Sequence, residues 1–159
     1  MSDRDALLAA LNPILDVLRT LDVGDPDAAA KLERALPIAS ERVQKVAQLV
    51  RTGVSEGWLC DREGGGIRYS RVAKADHPVT APFSLDAVHM DRPGPGHTHP
   101  NGEFDLCFPV SGSPQFDGHP PGWVVYPAGS WHVPTVSGGV MDILYYLPNG
   151  AIRFEPRPG

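Results

Sequence analysis

The ten residues Gly94-Pro95-Gly96-His97-Thr98-His99-Pro100-Asn101-Gly102-Glu103 hold the side chains best suited to chemistry in this chain. Histidines at i and i+2 on an extended strand project to the same side, so His97 and His99 can present both rings to one ion. Across the Pro-Asn-Gly turn, Glu103 can return a carboxylate to the same point. Imidazole with carboxylate suits a divalent transition metal (Fe, Mn, Zn, Ni or Cu) and leaves coordination positions open for a substrate. Further along, Pro127-Ala128-Gly129-Ser130-Trp131-His132 makes a second tight turn, from which a neighbouring strand can deliver His132 as a fourth ligand. A His-x-His pair alone is a weak signal in a chain with 6 histidines. The full pattern, His-x-His-x3-Glu followed by Pro-x-Gly-x2-His, is far more specific.

Turns of this kind need a folded scaffold, and composition shows where it lies. Of the 34 Gly and Pro residues, 5 fall in 1–56 and 29 in 57–159, with 18 of them in 93–139. Such density without a period usually marks disorder. All 12 aromatic residues, however, lie between Trp58 and Phe154, and disordered segments are poor in aromatics. Residues 57–159 therefore read as a folded, turn-dense β domain. Two-residue periodicity marks strands at 67–74, 83–91, 103–110, 123–127, 140–147 and 151–154, a spacing typical of antiparallel sandwiches and barrels. Gly64-Gly65-Gly66 reads as a hairpin turn and lacks the Lys-Ser/Thr of a phosphate loop. In 103–108, Glu103, Asp105 and Cys107 share one face, expected to line a polar cavity. Phe104, Leu106 and Phe108 share the other, expected to pack on the N-terminal segment or on a second subunit.

Residues 1–56 read as a helical lead. Leu7, Leu8, Leu11, Ile14, Leu15, Leu18 and Leu21 form one stripe, interrupted at Pro13, where Asn12 is expected to cap a restart. Asp25-Pro26 is expected to open a helix ending near Pro37. Ser40 is expected to cap another, whose stripe runs from Val43 to Val54 before Gly57. The net charge of −5 is spread over both parts, and no helix gathers the Lys and Arg that phosphate contact demands, so no nucleic-acid partner is expected. Apolar runs are too short to span a membrane, and the chain opens Ser2-Asp3-Arg4-Asp5 instead of with a basic-then-apolar leader. The expectation is a cytoplasmic protein without a membrane partner. Cys60 and Cys107 form no disulfide framework and have no basic neighbour to activate them.

The two metal-binding motifs resemble those of the cupin superfamily, small antiparallel β-barrels (double-stranded β-helices) whose motifs supply three histidines and a glutamate to one metal. The resemblance maps His97, His99, Glu103 and His132 onto those four ligands. Gly112 follows Glu103 later than in the usual motif, and Val136 stands where an Asn is often found. Gly57-Trp58-Leu59-Cys60, the 94–103 segment and Gly122-Trp123-Val124-Val125-Tyr126-Pro127 are similar to the 4-hydroxylaminobenzoate lyase family, in which a helical N-terminal segment precedes a cupin part. The resemblance implies conversion of 4-hydroxylaminobenzoate and water to 3,4-dihydroxybenzoate and ammonia, in the breakdown of nitroaromatic acids.

That conversion is redox-neutral, which agrees with the absence of a dinucleotide fingerprint. Its steps would be loss of the N-hydroxyl oxygen, addition of water at the ring carbon next to nitrogen, and release of ammonia. A metal can supply a Lewis acid and activate water, while Glu103 or Asp105 moves protons. A small aromatic acid wants aromatic walls, for which Tyr69, Phe108, Trp123, Tyr126 and Trp131 are candidates, with Trp58 beside them. Its carboxylate wants a guanidinium fork. Arg71, on the same strand face as Tyr69, comes first, with Arg68 and Arg92 behind it. The plainer alternatives are a core role for each aromatic, a solvated Arg71, and an Asp105 that orients a ligand. A cupin dioxygenase using the same ligands, or a non-enzymatic small-molecule-binding cupin, is the competing function. The apolar face of 103–108 leads to the expectation of a homodimer.

Overall fold

The computed structural model describes residues 2–158. Four helices come first: α1 (Asp3–Ala10), α2 (Asn12–Leu18), α3 (Ala28–Ala35) and α4 (Glu41–Glu56). Nine strands follow: β1 (Arg62–Gly64), β2 (Ile67–Ala73), β3 (Phe83–Met90), β4 (His97–His99), β5 (Glu103–Phe116), β6 (Gly122–Tyr126), β7 (Ser130–His132), β8 (Val136–Pro148) and β9 (Arg153–Phe154). Among the described residues no helix is long and apolar enough to cross a membrane.

Local chemistry sets the helix ends. Ser2 and Asp5 form a reciprocal capping box at α1, and Ser40 caps α4, which stops at left-handed Gly57. Two caps differ from expectation. Asn12 is the first residue of α2, not its cap; Leu11 occupies the cap position in helical geometry, so the chain passes from α1 to α2 with Pro13 in the tolerant first turn. The next helix starts later than Asp25-Pro26, at Ala28. Asp25 instead uses its carboxylate to accept the Asp27 N–H at 2.9 Å, closing a turn ahead of the helix.

The strands form a six-stranded antiparallel sheet, ordered β1-β2-β3-β8-β5-β6, and a three-stranded sheet, ordered β7-β4-β9. The mainly antiparallel β architecture with a helical lead is the one expected, but the two sheets are not joined into a continuous barrel. Prolines 93, 95, 100, 127 and 134 flank β4 and β7 and lack the N–H groups that would extend those three-residue strands into a ladder. β5 and β8 outrun the expected 103–110 and 140–147, pairing as far as Phe116 and Val136 through two register shifts. Beyond Cys107 and Gly122, β6 no longer pairs with β5, so Pro109 and Pro114 fall on a free edge. Gly139 permits the close approach there, since a Cβ would lie 2.1 Å from the Ser111 carbonyl.

Pairing register assigns the two faces of the large sheet. Phe104, Leu106, Phe108, Leu85, Ala87, Leu144 and Tyr146 face the helices and share one core with Leu7, Leu11, Ile14, Leu15, Leu18 and Leu32. Burying each such side chain contributes about 1.5–3 kcal/mol, so the helical lead and the sheet are stabilised together. The apolar face on which the expectation of a dimer rested is thus covered within the chain. Polar ties reinforce the contact. Buried Asp142 of β8 pairs with Arg51 of α4 at 3.3 Å and with His89 at 2.7 Å. Glu33 of α3 accepts the Trp123 N–H at 2.7 Å on the edge strand β6. The opposite face, with Val88, Met90, Ile143, Tyr145, Cys107 and Val124, looks toward the three-stranded sheet.

Candidate metal centre and its cavity

Strand alternation and one cross-strand pair build the centre. His97 and His99 project from the same side of β4, and His97 pairs in register with His132 of β7. The three imidazole centroids are mutually 4.7 Å apart. Glu103 arrives from β5 directly after Gly102, whose φ of +83° and close contact with the Tyr126 carbonyl exclude a side chain. Its Oε2 lies 2.9 Å from His99 Nε2 and 3.9 Å from His132 Nε2. One ligand atom from each of the four residues falls within 4.8 Å of the others.

Each imidazole is oriented through its other nitrogen. His97 Nδ1 donates to the Pro95 carbonyl at 3.2 Å. His99 Nδ1 donates to Ser130 Oγ at 2.9 Å, because that hydroxyl spends its own hydrogen on the Pro127 carbonyl at 2.7 Å. His132 Nδ1 donates to Asp117 Oδ2 at 2.6 Å. All three tautomers therefore leave the Nε2 lone pair facing inward. His97 and His132 bring those nitrogens to 3.1 Å with no proton available between them. His99 Nε2 and both Glu103 oxygens are buried without a hydrogen-bond partner. Converging buried lone pairs and a carboxylate are costly unless a cation takes them. The two shortest separations, 2.9 and 3.1 Å, are close to the edge of an octahedral shell with bonds of about 2.1 Å. The donor set fits a divalent transition metal.

Electrostatics point the same way. Burial pushes His97 down to about 4, with His132 and His99 adding to the effect against the pull of Glu103, so the ring is neutral at physiological pH. Burial raises the Glu103 carboxyl, but the neighbouring His99, Asp105 and His97 outweigh it, leaving it below the usual carboxylate range. Asp105, fully buried two residues along the same face, is held well above that range by burial and by the Glu103 charge. The pair thus divides into a charged donor and a neutral acid. Burial also pulls Asp117 upward, but hydrogen bonds from His132, Tyr126 and the Thr135 N–H prevail and keep it ionised.

A cavity of about 960 Å³ opens onto the His97 side of this cluster. Of the expected substrate-binding residues, Tyr69 and Arg71 line it. The Arg71 fork is occupied, with Nε and Nη2 on the two oxygens of Asp86 at 2.8 and 3.3 Å. Phe108 and Trp123 instead belong to the core against the helices, where the Trp123 indole donates to the Leu36 carbonyl at 3.0 Å. Tyr126 packs on the His99 and His132 rings and donates its hydroxyl to Asp117. Trp131 points away from His132 and donates to the Glu155 carbonyl. Trp58 packs against the helix-facing core. Arg68 is spent on the Cys60 and Val54 carbonyls, and Arg92 on Asp91. Asp105 lies behind Glu103 and does not line the cavity. Sequence reasoning missed Asp117, Ser130 and the cavity-lining Arg4, Arg62, Asp86 and Phe154. Only Ser130 carried a signal, its place within the second metal motif.

Comparison with known proteins gives the family. The profile of a family described as 4-hydroxylaminobenzoate lyase (PnbB) matches residues 11–154. The chain belongs to the 4-hydroxylaminobenzoate lyase family. It is 34% identical to the 4-hydroxylaminobenzoate lyase of Nocardioides sp. (strain LMS-CY), over 99% of this chain and 98% of that one. It is 31% identical to the enzyme of that name from Pseudomonas putida, over 98% and 97% of the two chains. Among solved structures, an RmlC-like cupin protein from Ralstonia eutropha is similar over 59% of this lyase and 62% of that chain, at 17% identity and a TM-score of 0.42.

Proposed function

We propose that this lyase converts 4-hydroxylaminobenzoate and water to 3,4-dihydroxybenzoate and ammonia, with a metal held by His97, His99, Glu103 and His132. The observation that carries the reading is the convergence of three tautomer-fixed imidazoles and one buried carboxylate beside an apolar-walled cavity. When bound, a divalent transition metal supplies a Lewis acid and lowers the pKa of water. The balance requires the N-hydroxyl oxygen to leave as water. A water then adds at the ring carbon next to nitrogen, and a second displaces the nitrogen as ammonia, for one water consumed overall. His97 is the cluster residue that lines the cavity, and in this reading the hydroxylamino group is held beside it. Glu103, backed by the protonated Asp105, is the pair that holds and moves the proton. Ile67, Val88, Met90 and Phe154 exclude bulk water from the ring.

The test combines elemental analysis of purified protein with an anaerobic ammonia-release assay on 4-hydroxylaminobenzoate. The expected result is one metal per chain, ammonia release without oxygen, and loss of both metal and release in His97→Ala. Metal-free protein that releases ammonia at full rate would overturn the reading, and so would turnover that requires oxygen.

A further inference from the structure

The proposed substrate carries its carboxylate para to the reacting nitrogen, so a nitrogen held at His97 directs the carboxylate away from it, toward the other residues that line the cavity. We infer that Arg62 and Arg4 are the cations that bind this carboxylate, an inference that rests on the proposed function. Three arginines line the cavity, and they differ in what already holds their charge. Arg71 is neutralised by Asp86 through both of its forked donors. Arg4 donates Nη1 to the Val72 carbonyl at 3.2 Å and Nη2 to the Trp58 carbonyl at 3.0 Å. Those acceptors are neutral, so they fix the guanidinium in place without cancelling its charge. Three of its five N–H donors remain without a partner among the described residues.

Arg62 stands on β1 in register with Tyr69, placing it on the cavity face of the sheet, and it makes no ion pair among the described residues. Exposed Asp61 is the one other carboxylate on the cavity wall. An oriented, half-buried guanidinium and an uncommitted one therefore share with His97 a cavity also lined by Ile67, Val88, Met90 and Phe154. This complements an aromatic ring bearing a single anionic end. Arg4 lies in α1, so the helical lead supplies part of the binding site as well as covering the sheet.

The test is calorimetric titration of the metal-loaded protein with 4-aminobenzoate, which lacks the N-hydroxyl group, and with neutral 4-aminobenzamide. The expected result is that wild type prefers the acid. Arg62→Gln, at an exposed residue, should weaken acid binding about threefold and Arg4→Gln, at a half-buried one, about tenfold, and both should leave amide binding unchanged. The double variant should lose the preference. Because Arg4 also tethers α1, its variant is checked by thermal melting, and if it fails to fold, Arg62→Gln and Arg62→Glu carry the test. Equal affinity of wild type for acid and amide would overturn the inference, as would acid binding undiminished in the Arg62 variants. The titration needs no turnover. A protein that prefers the acid through these arginines but releases no ammonia from 4-hydroxylaminobenzoate keeps the clamp and refutes the lyase reading.

Discussion

Replacing Asp117 should cost metal affinity although Asp117 is not among the four ligands. Its Oδ2 accepts from His132 Nδ1 at 2.6 Å and from the Tyr126 hydroxyl, while Oδ1 accepts the Thr135 N–H at 2.8 Å. Three donors thus meet one carboxylate, and both of its oxygens are committed. Asp117→Asn keeps the shape but must turn its NH2 toward a donor whichever way the amide lies. One group is left unpaired, at about 1–3 kcal/mol. Asp117→Ala frees all three donors and releases His132 to rotate or change tautomer. A group in this position behind a ligand histidine is worth about 10–100-fold in metal affinity. Competitive titration with a chromophoric chelator measures that loss directly. Circular dichroism and thermal melting show whether the fold persists. The expected order is wild type tightest, then Asn, then Ala, with catalysis recovered at high metal concentration. Wild-type affinity in folded Asp117→Ala would refute the claim that this carboxylate sets the third histidine.

Ser130→Ala should act in the same direction but more weakly, because His99 loses a neutral acceptor; chelator competition again measures it. Phe104→Ala should destabilise the protein by about 3–5 kcal/mol, since the ring is buried between sheet and helices, and urea unfolding at fixed metal concentration would show it. Asp142→Ala removes the partner shared by Arg51 and His89, and urea midpoints should fall by the equivalent of about 1–3 kcal/mol. Burial pushes the Cys60 thiol up to about 12 and also raises Cys107. A raised thiol pKa removes thiolate, leaving about one part in ten thousand at pH 8 for Cys60, so native protein should resist iodoacetamide while unfolded protein takes up two equivalents. Rapid alkylation of the native chain at pH 8 would contradict the placement of both side chains.

The four converging side chains were legible because most of their geometry is local. Two histidines two residues apart must share a strand face, and a glutamate across a short turn comes back to them whatever the rest of the chain does. His132 is non-local, yet its motif carries a turn that places it beside β4. Asp117 had no such signal. It reaches His132 only because a tight bend joins Phe116 to His119 and the chain beside it returns along Thr135, a closure set by the long β5–β8 arm. That arm runs past the expected end at 110 through Gly112 and Pro114, on an edge where the missing N–H of a proline costs little.

Alternation likewise tells which residues share a face but not which face looks inward. Register settles that: Trp123 is opposite Leu106, and Leu106 is opposite Leu144, so all three face the helices with Phe108. By the same rule Arg71, Asp86, Tyr145, Asp105 and Val124 form one row across the sheet's inner face. Two acids in that row meet different fates. Asp86 stands between Arg71 and Tyr145, and Arg71 from the neighbouring strand neutralises it. Asp105 stands between Tyr145 and Val124, with no cation beside it in the row, and burial and the Glu103 charge hold its carboxyl well above the usual range. The residues flanking an acid in one sheet row, and not its distance from the edge, therefore decide whether it cancels an arginine on the cavity wall or stands unpaired beside Glu103. It is also why an arginine chosen for its face alone proves to be already taken.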